Sequence, residues 1–246
     1  MNVIKKKYFN FYDFGVDNAQ ENIFFFICDH ASNFIPKKFK NLGLSQKQIS
    51  SHIAWDIGAR DLTLSLSRST NSCCIIANFS RLLIDLNRDQ QDSDIIIRQS
   101  TEGKVFGNQN LEKNQLAERL HFHDIYHFNL RKLIKKKINE NKKIKLIAIH
   151  SFTKSIYNKT RACEIGILWN SRIEKVVSLI KFFQSLNINV GNNYPYSGFF
   201  YNYTLDIHSK ENMLTSFCLE LRNDLINNKK GIDKWTKILK LALKDI

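Results

Sequence analysis

The sequence predicts an α/β fold in which helices cover both faces of a central sheet. Short apolar runs alternate with longer amphipathic stretches along the chain, which is the pattern of a layered α/β protein. Enough core-forming material is present, because 43% of the 246 residues are hydrophobic and 12% are aromatic. Since no repeat, low-complexity block or Pro/Gly-rich linker divides the chain, we predict a single domain over residues 1–246.

Six short runs rich in β-branched or aromatic residues are predicted to be strands, most of them in the sheet interior. They span residues 23–28, 73–78, 144–149, 164–169, 188–190 and 216–221. Five segments with apolar residues three and four apart are predicted to be helices. They span residues 45–52, 58–67, 111–138, 171–186 and 232–243.

The sequence also predicts a soluble, cytoplasmic protein with no membrane partner. Lysines 5–7 resemble the start of a signal peptide, but aromatic, Asn and acidic residues follow instead of a sustained apolar stretch. The longest apolar run, residues 23–28, is far shorter than the roughly 20 residues that cross a bilayer. The five cysteines lack CxxC spacing and mostly lie in apolar runs, which indicates buried thiols in a reducing compartment and argues against a thiolate zinc site.

A net charge of +14 raises nucleic-acid binding as an alternative function. Most of the excess comes from scattered lysines. The one dense basic run, within residues 131–137, ends a predicted helix, where cations also suit the helix dipole. We therefore predict a solvated basic surface and no nucleic-acid partner, and we keep a basic nucleic-acid-binding protein as the alternative of a different class.

Polar residues follow several of the predicted strands, at the edge where α/β sheets bind ligands. His30 follows the first strand and His150 the third. Two such histidines can share a metal ion, and a catalytic zinc takes three protein ligands and keeps one position open. The candidates for the third ligand are Asp29, Asp56 and Glu220. A lone histidine at a strand end is more often a structural residue.

A second group of polar residues follows the strand at 73–78. Residues 80–88 place Arg81 and Arg88 on either side of apolar residues, with Asp85 and Asn87 close by. Arginine side chains bind carboxylates through two parallel hydrogen bonds. For one of the two arginines, a structural ion pair with Asp85 is an equally good interpretation.

His123 and His127 imitate the HExxH zinc motif, with Asp124 in place of the glutamate. Both histidines fall on the apolar stripe of a predicted helix, so we reject the zinc-protease interpretation and keep His127 as a site candidate. The sequence contains neither a glycine-rich phosphate loop nor a GxSxG nucleophile motif, which disfavours nucleotide chemistry and serine hydrolysis.

Taken together, these segments resemble the N-formylglutamate amidohydrolase family in order and spacing over nearly the whole chain. The main matching segments are HASN at 30–33, SHIAWDIGA at 51–59, SRLLIDLNR at 80–88, YH at 126–127, IHSFT at 149–153 and LELRND at 219–224. Further matches are GILWN at 166–170, NYPYSG at 193–198 and YTLD at 203–206. Several linked motifs are far more specific than any single one.

The resemblance implies a fold similar to that of the zinc carboxypeptidases, with three αβα layers, a mixed twisted sheet and one Zn²⁺ ion at the strand ends. His30 and His150 are then metal ligands. Carboxypeptidases carry a glutamate three residues after their first histidine, whereas this chain has Asn33 there. This departure makes Asp56 our choice for the third ligand. Iron, cobalt or manganese could occupy the same ligands.

The resemblance also implies roles for the remaining polar residues. Glu220 would be the general base, Asn87 and Arg88 would hold a substrate carboxylate, and Arg81 would polarise the carbonyl or hold a second carboxylate. His127 would contact the substrate or orient a ligand. The predicted substrate-binding residues are Arg81, Asn87, Arg88, His127, Ser151 and Arg222.

The implied reaction is hydrolysis of a small acidic N-acyl amino acid, with N-formyl-L-glutamate giving formate and L-glutamate. Because the formyl group is small, the acyl pocket should be tight. The alternative within the same chemistry is a zinc deacylase or carboxypeptidase-like hydrolase that acts on a different N-acyl amino acid or a small peptide.

Overall fold

The computed structural model describes residues 1–15, 21–170, 173–244 and 246. An eight-stranded sheet organises this part of the chain, and two small hairpins flank it. The sheet contains β1 (Asn2–Lys5), β2 (Phe9–Asp13), β3 (Asn22–Cys28), β4 (Cys73–Ala77), β7 (Lys143–Phe152), β10 (Ile165–Leu168), β11 (Val190–Asn192) and β12 (Thr215–Arg222). The hairpins are β5 (Gln99–Ser100) with β6 (Gly103–Lys104), and β8 (Ser155–Ile156) with β9 (Lys159–Thr160).

The strand order is β1-β2-β4-β3-β7-β12-β10-β11. The four central strands β4, β3, β7 and β12 run parallel, whereas β2 and β10 are antiparallel to the central strands beside them. The predicted α/β class with a mixed central sheet is therefore confirmed. Because the central strands are parallel, their carboxyl ends lie at one edge of the sheet.

The described helices lie between the strands along the chain. They are α1 (Gln46–Ser50), α2 (Ala59–Ser69), α3 (Lys113–Asn139), α4 (Ile173–Ser185), α5 (Gly198–Tyr201), α6 (Tyr203–Lys210) and α7 (Lys229–Ala242). Short 3₁₀ segments occur at Lys37–Gly43, Ser93–Ile95, Phe106–Asn108 and Asn223–Leu225. The start of the predicted helix at Ser171 lies outside the described residues.

The helices form layers on both faces of the sheet, as the sequence predicts. Side chains alternate between the two faces of each strand, so the sheet separates two apolar cores. In β4, Ile75 belongs to one core and Ile76 to the other. Helices α3 and α6 close the first core, and α2, α4 and α7 close the second. All five cysteines are buried and free, as expected. Within the described ranges, no helix is both long and apolar enough to cross a membrane.

The sequence did not predict the edge hairpin of β1 and β2, the two small hairpins, α5 or α6, and it placed one strand too early. β1 and β2 form an antiparallel hairpin at the sheet edge, where no residue of β1 and three of the five residues of β2 are buried, so their apolar signal is weak. The strand expected at 188–190 begins only at Val190. Asn187 has a positive φ of 55° and the Ile188 N–H donates to the Phe183 carbonyl, so these residues end α4 instead of starting the strand.

Candidate active site

Two predicted site residues lie side by side on neighbouring parallel strands. β7 and β12 pair in a register that sets His150 opposite Glu220. Ala148 and Cys218, two residues earlier on the same strands, belong to the core that α3 closes. Since side chains alternate between the two faces of a strand, His150 and Glu220 project toward that same face. Both are buried near the carboxyl ends of their strands.

His30 and Asp56 reach the same edge of the sheet from two loops. His30 follows β3, and its carbonyl accepts a hydrogen bond from the Asp56 N–H at 2.8 Å. The loop that carries Asp56 is tied to the loop after β4, because the Ser80 hydroxyl donates to the Ala54 carbonyl at 2.7 Å. These two hydrogen bonds, neither of which involves the Asp56 carboxylate, therefore place Asp56 next to His30.

Gly58 fixes the other end of the Asp56 loop. It precedes α2 with a positive φ of 82°, a conformation that other residues rarely adopt. A Cβ atom at this position would lie 2.2 Å from the carbonyl oxygen of Ile226. The absence of a side chain at Gly58 thus lets the Asp56 loop pack directly against the segment that follows β12.

The side chains of His30, Asp56 and His150 could together hold a metal ion, since one ligand atom from each lies within 4.8 Å of the others. Asp56 Oδ2 lies 3.5 Å from His30 Nδ1 and 2.8 Å from His150 Nδ1. Two ligands of one tetrahedral zinc ion lie about 3.3 Å apart for bonds of about 2.0 Å. The donor set and its spacing therefore fit one ion.

Unpaired polar atoms at this group support the same interpretation. His30 Nδ1 is buried and has no hydrogen-bond partner among the described residues. The same holds for Asp56 Oδ1 and His150 Nε2, the second polar atoms of the two side chains whose Oδ2 and Nδ1 atoms contact each other. Buried polar atoms normally have a partner, since leaving them unpaired is costly. Imidazole nitrogens and carboxylate oxygens are also the ligands that zinc accepts in catalytic sites.

The other two candidates for a third ligand are placed differently. Asp29 accepts a hydrogen bond from the Tyr126 hydroxyl at 2.6 Å and lies on the α3 side of the site. Glu220 stands beside His150 on the neighbouring strand and is outside the group of three. Its Oε2 atom is buried and unpaired within the described part of the chain. This arrangement leaves the Glu220 carboxyl available for proton transfer.

The surroundings shift the pKa values of Asp56, Glu220 and His150 in different directions. Burial disfavours ionised Asp56, but His30 and His150 outweigh it and hold the pKa of Asp56 well below its usual range. Burial raises the pKa of Glu220 to about 7, although His150 opposes the rise. Burial also opposes protonation of His150, but the hydrogen bond to Asp56 brings its pKa to about 9. An ionised carboxylate thus lies near a carboxyl that titrates around neutral pH.

Asp85 connects the histidine group to the arginines. Its Oδ1 lies 2.7 Å from His30 Nε2, and its Oδ2 accepts a hydrogen bond from Arg81 at 2.7 Å. Burial opposes ionisation of Asp85, but Arg81 and His30 outweigh it and hold the pKa well below its usual range. A carboxylate on one imidazole nitrogen fixes the ring and leaves the other nitrogen, Nδ1, for a metal. The structural Arg81–Asp85 pair considered from the sequence is therefore present.

These side chains open onto one cavity of about 170 Å³. The cavity brings together residues from the loops after β3 and β4, from the loop before α2, from β7 and β12, and from the segment around α5. Its lining residues are His30, His52, Asp56, Arg81, Asn87, Arg88, His150, Ser151, Tyr196, Tyr201 and Glu220.

Arg88 has the weaker carboxylate contact of the two cavity arginines, since Asp92 lies 3.9 Å from its Nε atom, whereas Asp85 lies 2.7 Å from Arg81. It lies over the Tyr201 ring at 5.0 Å and donates a hydrogen bond to the Asn87 carbonyl at 3.0 Å. The Asn87 amide is engaged within the protein, since it donates to the Tyr201 carbonyl at 2.8 Å and accepts from the Thr204 N–H at 3.1 Å. Asn87 therefore holds the tyrosine against which Arg88 stacks.

Ser151 lines the cavity but also supports Asp56. Its N–H donates to Asp56 Oδ2 at 3.2 Å, and its hydroxyl donates to the Ile57 carbonyl at 2.9 Å. Hydrogen bonds to an ionised carboxylate stabilise the charged form. Ser151 thus helps to fix the carboxylate that faces the two histidines.

Two residues predicted to bind substrate lie outside the cavity lining. His127 is buried on α3, where its ring nitrogens contact the Leu86 carbonyl at 2.9 Å and His208 at 3.1 Å. Arg222 ends β12 and donates to the Asp224 carboxylate at 2.7 Å. Substrate contact by His127 or Arg222 stays a prediction.

Three cavity residues were not singled out from the sequence. They are His52, Tyr196 and Tyr201. His52 lies 3.9 Å from Asp56 through its Nδ1 atom, and burial lowers its pKa. His52 and Tyr196 both lie in segments that match the family, so the motifs contained a signal for them. Tyr201 lies between two such motifs and carried none.

Comparisons with known proteins show which fold and family this chain shares. A search of curated proteins finds none that matches the chain. The chain is similar to the gene product Atu2144 from Agrobacterium tumefaciens, with a TM-score of 0.90 and 27% identity over 98% of this chain and 94% of the other. It is also similar in fold to N-formylglutamate amidohydrolase from Ralstonia eutropha JMP134, with a TM-score of 0.73 and 15% identity over 96% of this chain and 95% of the other.

The model of the N-formylglutamate amidohydrolase family matches residues 23–227 of this chain. That range runs from β3 to the segment after β12 and includes every residue that lines the cavity. The match covers far more than half of the 246 residues. The chain therefore belongs to the N-formylglutamate amidohydrolase family.

Proposed function

We propose that this protein is a metal-dependent amidohydrolase that converts N-formyl-L-glutamate to formate and L-glutamate. The observation that carries the proposal is one cavity that joins the His30, Asp56 and His150 group to a buried glutamate and to two arginines. Membership of the family supports amide hydrolysis. The substrate and the metal are our own assignments.

We assign His30, Asp56 and His150 as the ligands of one Zn²⁺ ion, because their unpaired buried atoms and close spacing suit it. Iron, cobalt or manganese would suit the same ligands. When bound, the ion supplies Lewis acidity, which polarises the substrate carbonyl and brings the pKa of water to about 7. Asp85 orients His30 through its Nε2 atom, and the Ser151 N–H steadies Asp56.

Glu220 acts in this scheme as the general base. It accepts a proton from the attacking water and delivers that proton to the amine nitrogen as the amide bond breaks. A base works best when its pKa is near the working pH, and burial raises the pKa of Glu220 to about 7. The register that sets Glu220 beside His150 holds the base next to the proposed metal ligands.

The two arginines at the cavity suit a substrate that carries a carboxylate. Arg88 presents its guanidinium at the cavity and binds the substrate carboxylate, while Arg81 faces the same cavity from its pair with Asp85 and polarises the carbonyl or holds a second carboxylate. A cavity of about 170 Å³ is smaller than the roughly 300 Å³ at which drug-sized pockets begin. The space therefore favours a small acyl group such as formyl.

The nearest alternative is a deacylase or carboxypeptidase-like hydrolase with the same mechanism and a different acyl group or a small peptide. The test is metal content per chain, followed by hydrolysis of N-formyl-, N-acetyl- and N-succinyl-L-glutamate with and without chelator. About one zinc per chain and chelator-sensitive release of formate support the proposal. Turnover of the other amides alone rejects the substrate, and a zinc-restored protein that hydrolyses none of them rejects the activity.

A further inference from the structure

Two histidines that the proposed reaction does not use contact the backbone of the loop after β4. His127 Nε2 lies 2.9 Å from the Leu86 carbonyl oxygen, and His123 Nε2 lies 3.0 Å from the Arg88 carbonyl oxygen. Both histidines are on α3, and both are buried. The two carbonyl groups flank Asn87 and belong to the segment that presents Arg88 to the cavity.

We infer that His123, His127 and His208 are positioning residues that hold this segment so that Arg88 meets the substrate carboxylate in one orientation. The inference rests on the proposed function, in which Arg88 binds that carboxylate. None of the three histidines is among the described residues that line the cavity. Their effect on substrate binding must therefore pass through the backbone around Asn87.

The hydrogen-bond partners define the protonation of each ring. A carbonyl oxygen only accepts, so His127 and His123 each carry their proton on Nε2. Their Nδ1 atoms are then acceptors. His127 Nδ1 accepts from His208 Nε2 at 3.1 Å, and His123 Nδ1 accepts from the Gln90 amide at 3.2 Å. All three rings are neutral in this arrangement, in agreement with burial, which lowers the pKa of each.

The spacing of the histidines explains why one helix can hold the segment at two points. Four residues of α-helix advance about 6 Å along the axis, and carbonyls two residues apart on any chain are separated by at most about 7 Å. Histidines at positions i and i+4 can therefore reach carbonyls at positions j and j+2. The HxxxH spacing that imitates a zinc motif thus lets two histidines of one helix hydrogen-bond to two backbone carbonyl oxygens.

A second set of contacts holds the same segment from α6. The Thr204 hydroxyl donates to the Leu86 carbonyl at 3.1 Å, and the Thr204 N–H donates to the Asn87 amide oxygen at 3.1 Å. His208, also on α6, donates to His127. Hydrogen bonds from α3 and α6 thus hold the segment on two sides, and the Arg88 side chain extends from it over Tyr201.

The test compares His127→Leu with His127→Gln in the zinc-loaded protein. Glutamine can place an N–H donor near the position of imidazole Nε2, whereas leucine fills similar space without a donor. We expect His127→Leu to raise KM for N-formyl-L-glutamate roughly tenfold with kcat nearly unchanged, and we expect His127→Gln to restore most of the loss. His121→Leu, at an exposed position of the same helix, is the matched control and should keep both constants.

Hydrogen exchange provides a readout that does not depend on the substrate. His127→Leu should accelerate exchange in peptides over residues 86–90 and leave peptides over residues 54–57 unchanged, and His127→Gln should reverse the effect. Slow exchange at 86–90 with an unchanged KM in His127→Leu overturns the inference, and so does equal acceleration in both regions. If the wild-type protein leaves N-formyl-L-glutamate intact but shows the expected exchange pattern, the substrate assignment fails and the positioning role stands.

Discussion

The acids of the site differ in their neighbours more than in their burial. Asp56, Asp85 and Glu220 are all buried. Asp56 lies against two histidines, and Asp85 accepts from Arg81, so burial is outweighed and both have a lowered pKa. At Glu220 the opposing effect of His150 does not outweigh burial, which raises the pKa to about 7. Environments that push carboxyl pKa values apart separate acid and base roles, and a pKa near 7 suits the proton transfer that we propose for Glu220.

Replacing Glu220 by glutamine should separate catalysis from metal binding. Glu220→Gln keeps the shape of the side chain but cannot accept a proton, so we expect kcat to fall by about 10²–10⁴-fold while zinc content stays at the wild-type level. Glu102→Gln, on an exposed loop, is the matched control. Metal analysis and initial rates are the measurements. Wild-type turnover in Glu220→Gln would remove the general base from the mechanism.

Arg88 should govern substrate binding more than the chemical step. Arg88→Ala removes the guanidinium that lies over Tyr201 at the cavity. We expect KM for N-formyl-L-glutamate to rise about 10–100-fold, because charge-assisted hydrogen bonds to a carboxylate are lost. Arg98→Ala, at an exposed position, is the control. An unchanged KM in Arg88→Ala would show that Arg88 has a structural role only.

At this scale the sequence predicted residue types at strand ends better than exact contacts. His30, His150 and Glu220 come together because parallel strands bring their carboxyl ends to one edge, and the loop before α2 adds Asp56. The Leu86 carbonyl that faces His127 could not be predicted, because helical periodicity shows that a histidine is buried without showing what it contacts.

Among the structural elements, the turn at Gly58 provides a sharp test of how the Asp56 loop is held. Gly58→Ala forces a positive φ of 82° on alanine and brings its Cβ to 2.2 Å from the Ile226 carbonyl oxygen. We expect a loss of about 3 kcal/mol or more in the free energy of unfolding, measured with urea. Gly103→Ala is the matched control, because Gly103 also has a positive φ but has no atom within 4 Å of a Cβ. Equal losses in both variants would mean that crowding at Gly58 is unimportant.

The packing of α6 against α3 should make the fold sensitive to acid. Burial lowers the pKa of His208 from 6.5 to about 4. As pH falls, the unfolded chain therefore takes up a proton at His208 before the folded protein does. Protonation of the unfolded chain lowers the free energy of unfolding by up to about 3 kcal/mol as pH falls from 6.5 towards 4. His208→Gln should flatten this part of the pH dependence in urea titrations. An unchanged slope would contradict the lowered pKa.

The central strands and the long helices were predictable, whereas the edge hairpin and the short helices α5 and α6 were not. The parallel strands are continuous apolar runs, and α3 was predicted nearly to its observed bounds because its apolar stripe continues for many turns. The hairpin of β1 and β2 is partly exposed and has a basic start, so its local sequence resembles a loop or a leader segment.

For the whole molecule, the proposed metal joins segments that are far apart in the chain, so its binding should stabilise the fold. His30 follows β3, Asp56 precedes α2 and His150 lies on β7. An ion at 1,000 times its dissociation constant adds about 4 kcal/mol to stability. We expect chelator to lower the melting temperature of the wild-type protein and to leave that of His150→Ala unchanged. A melting temperature that chelator does not affect in either protein would contradict a ligand role for His150.

The layered class of the fold follows from the alternation of apolar runs and amphipathic segments, but the order of the strands does not. A run such as 216–221 shows that a strand is buried on both faces without showing which strands lie beside it. Pairing of β12 with β7 and β10 is decided by contacts distant in sequence. The family resemblance predicted that the sheet is mixed, which is confirmed, but it did not predict the order of the strands.

The place of β12 in the sheet has a consequence for synthesis on the ribosome. It is the last of the described strands, yet it lies between β7 and β10, so β7 has an open edge and β10 with β11 has no place in the sheet until β12 emerges. Domains of growing chains fold as units once their parts are present. A nascent chain that already contains His30, Asp56 and His150 therefore still lacks Glu220 and the pairings of β12 with β7 and β10. Hydrolytic activity would begin only when this last strand inserts.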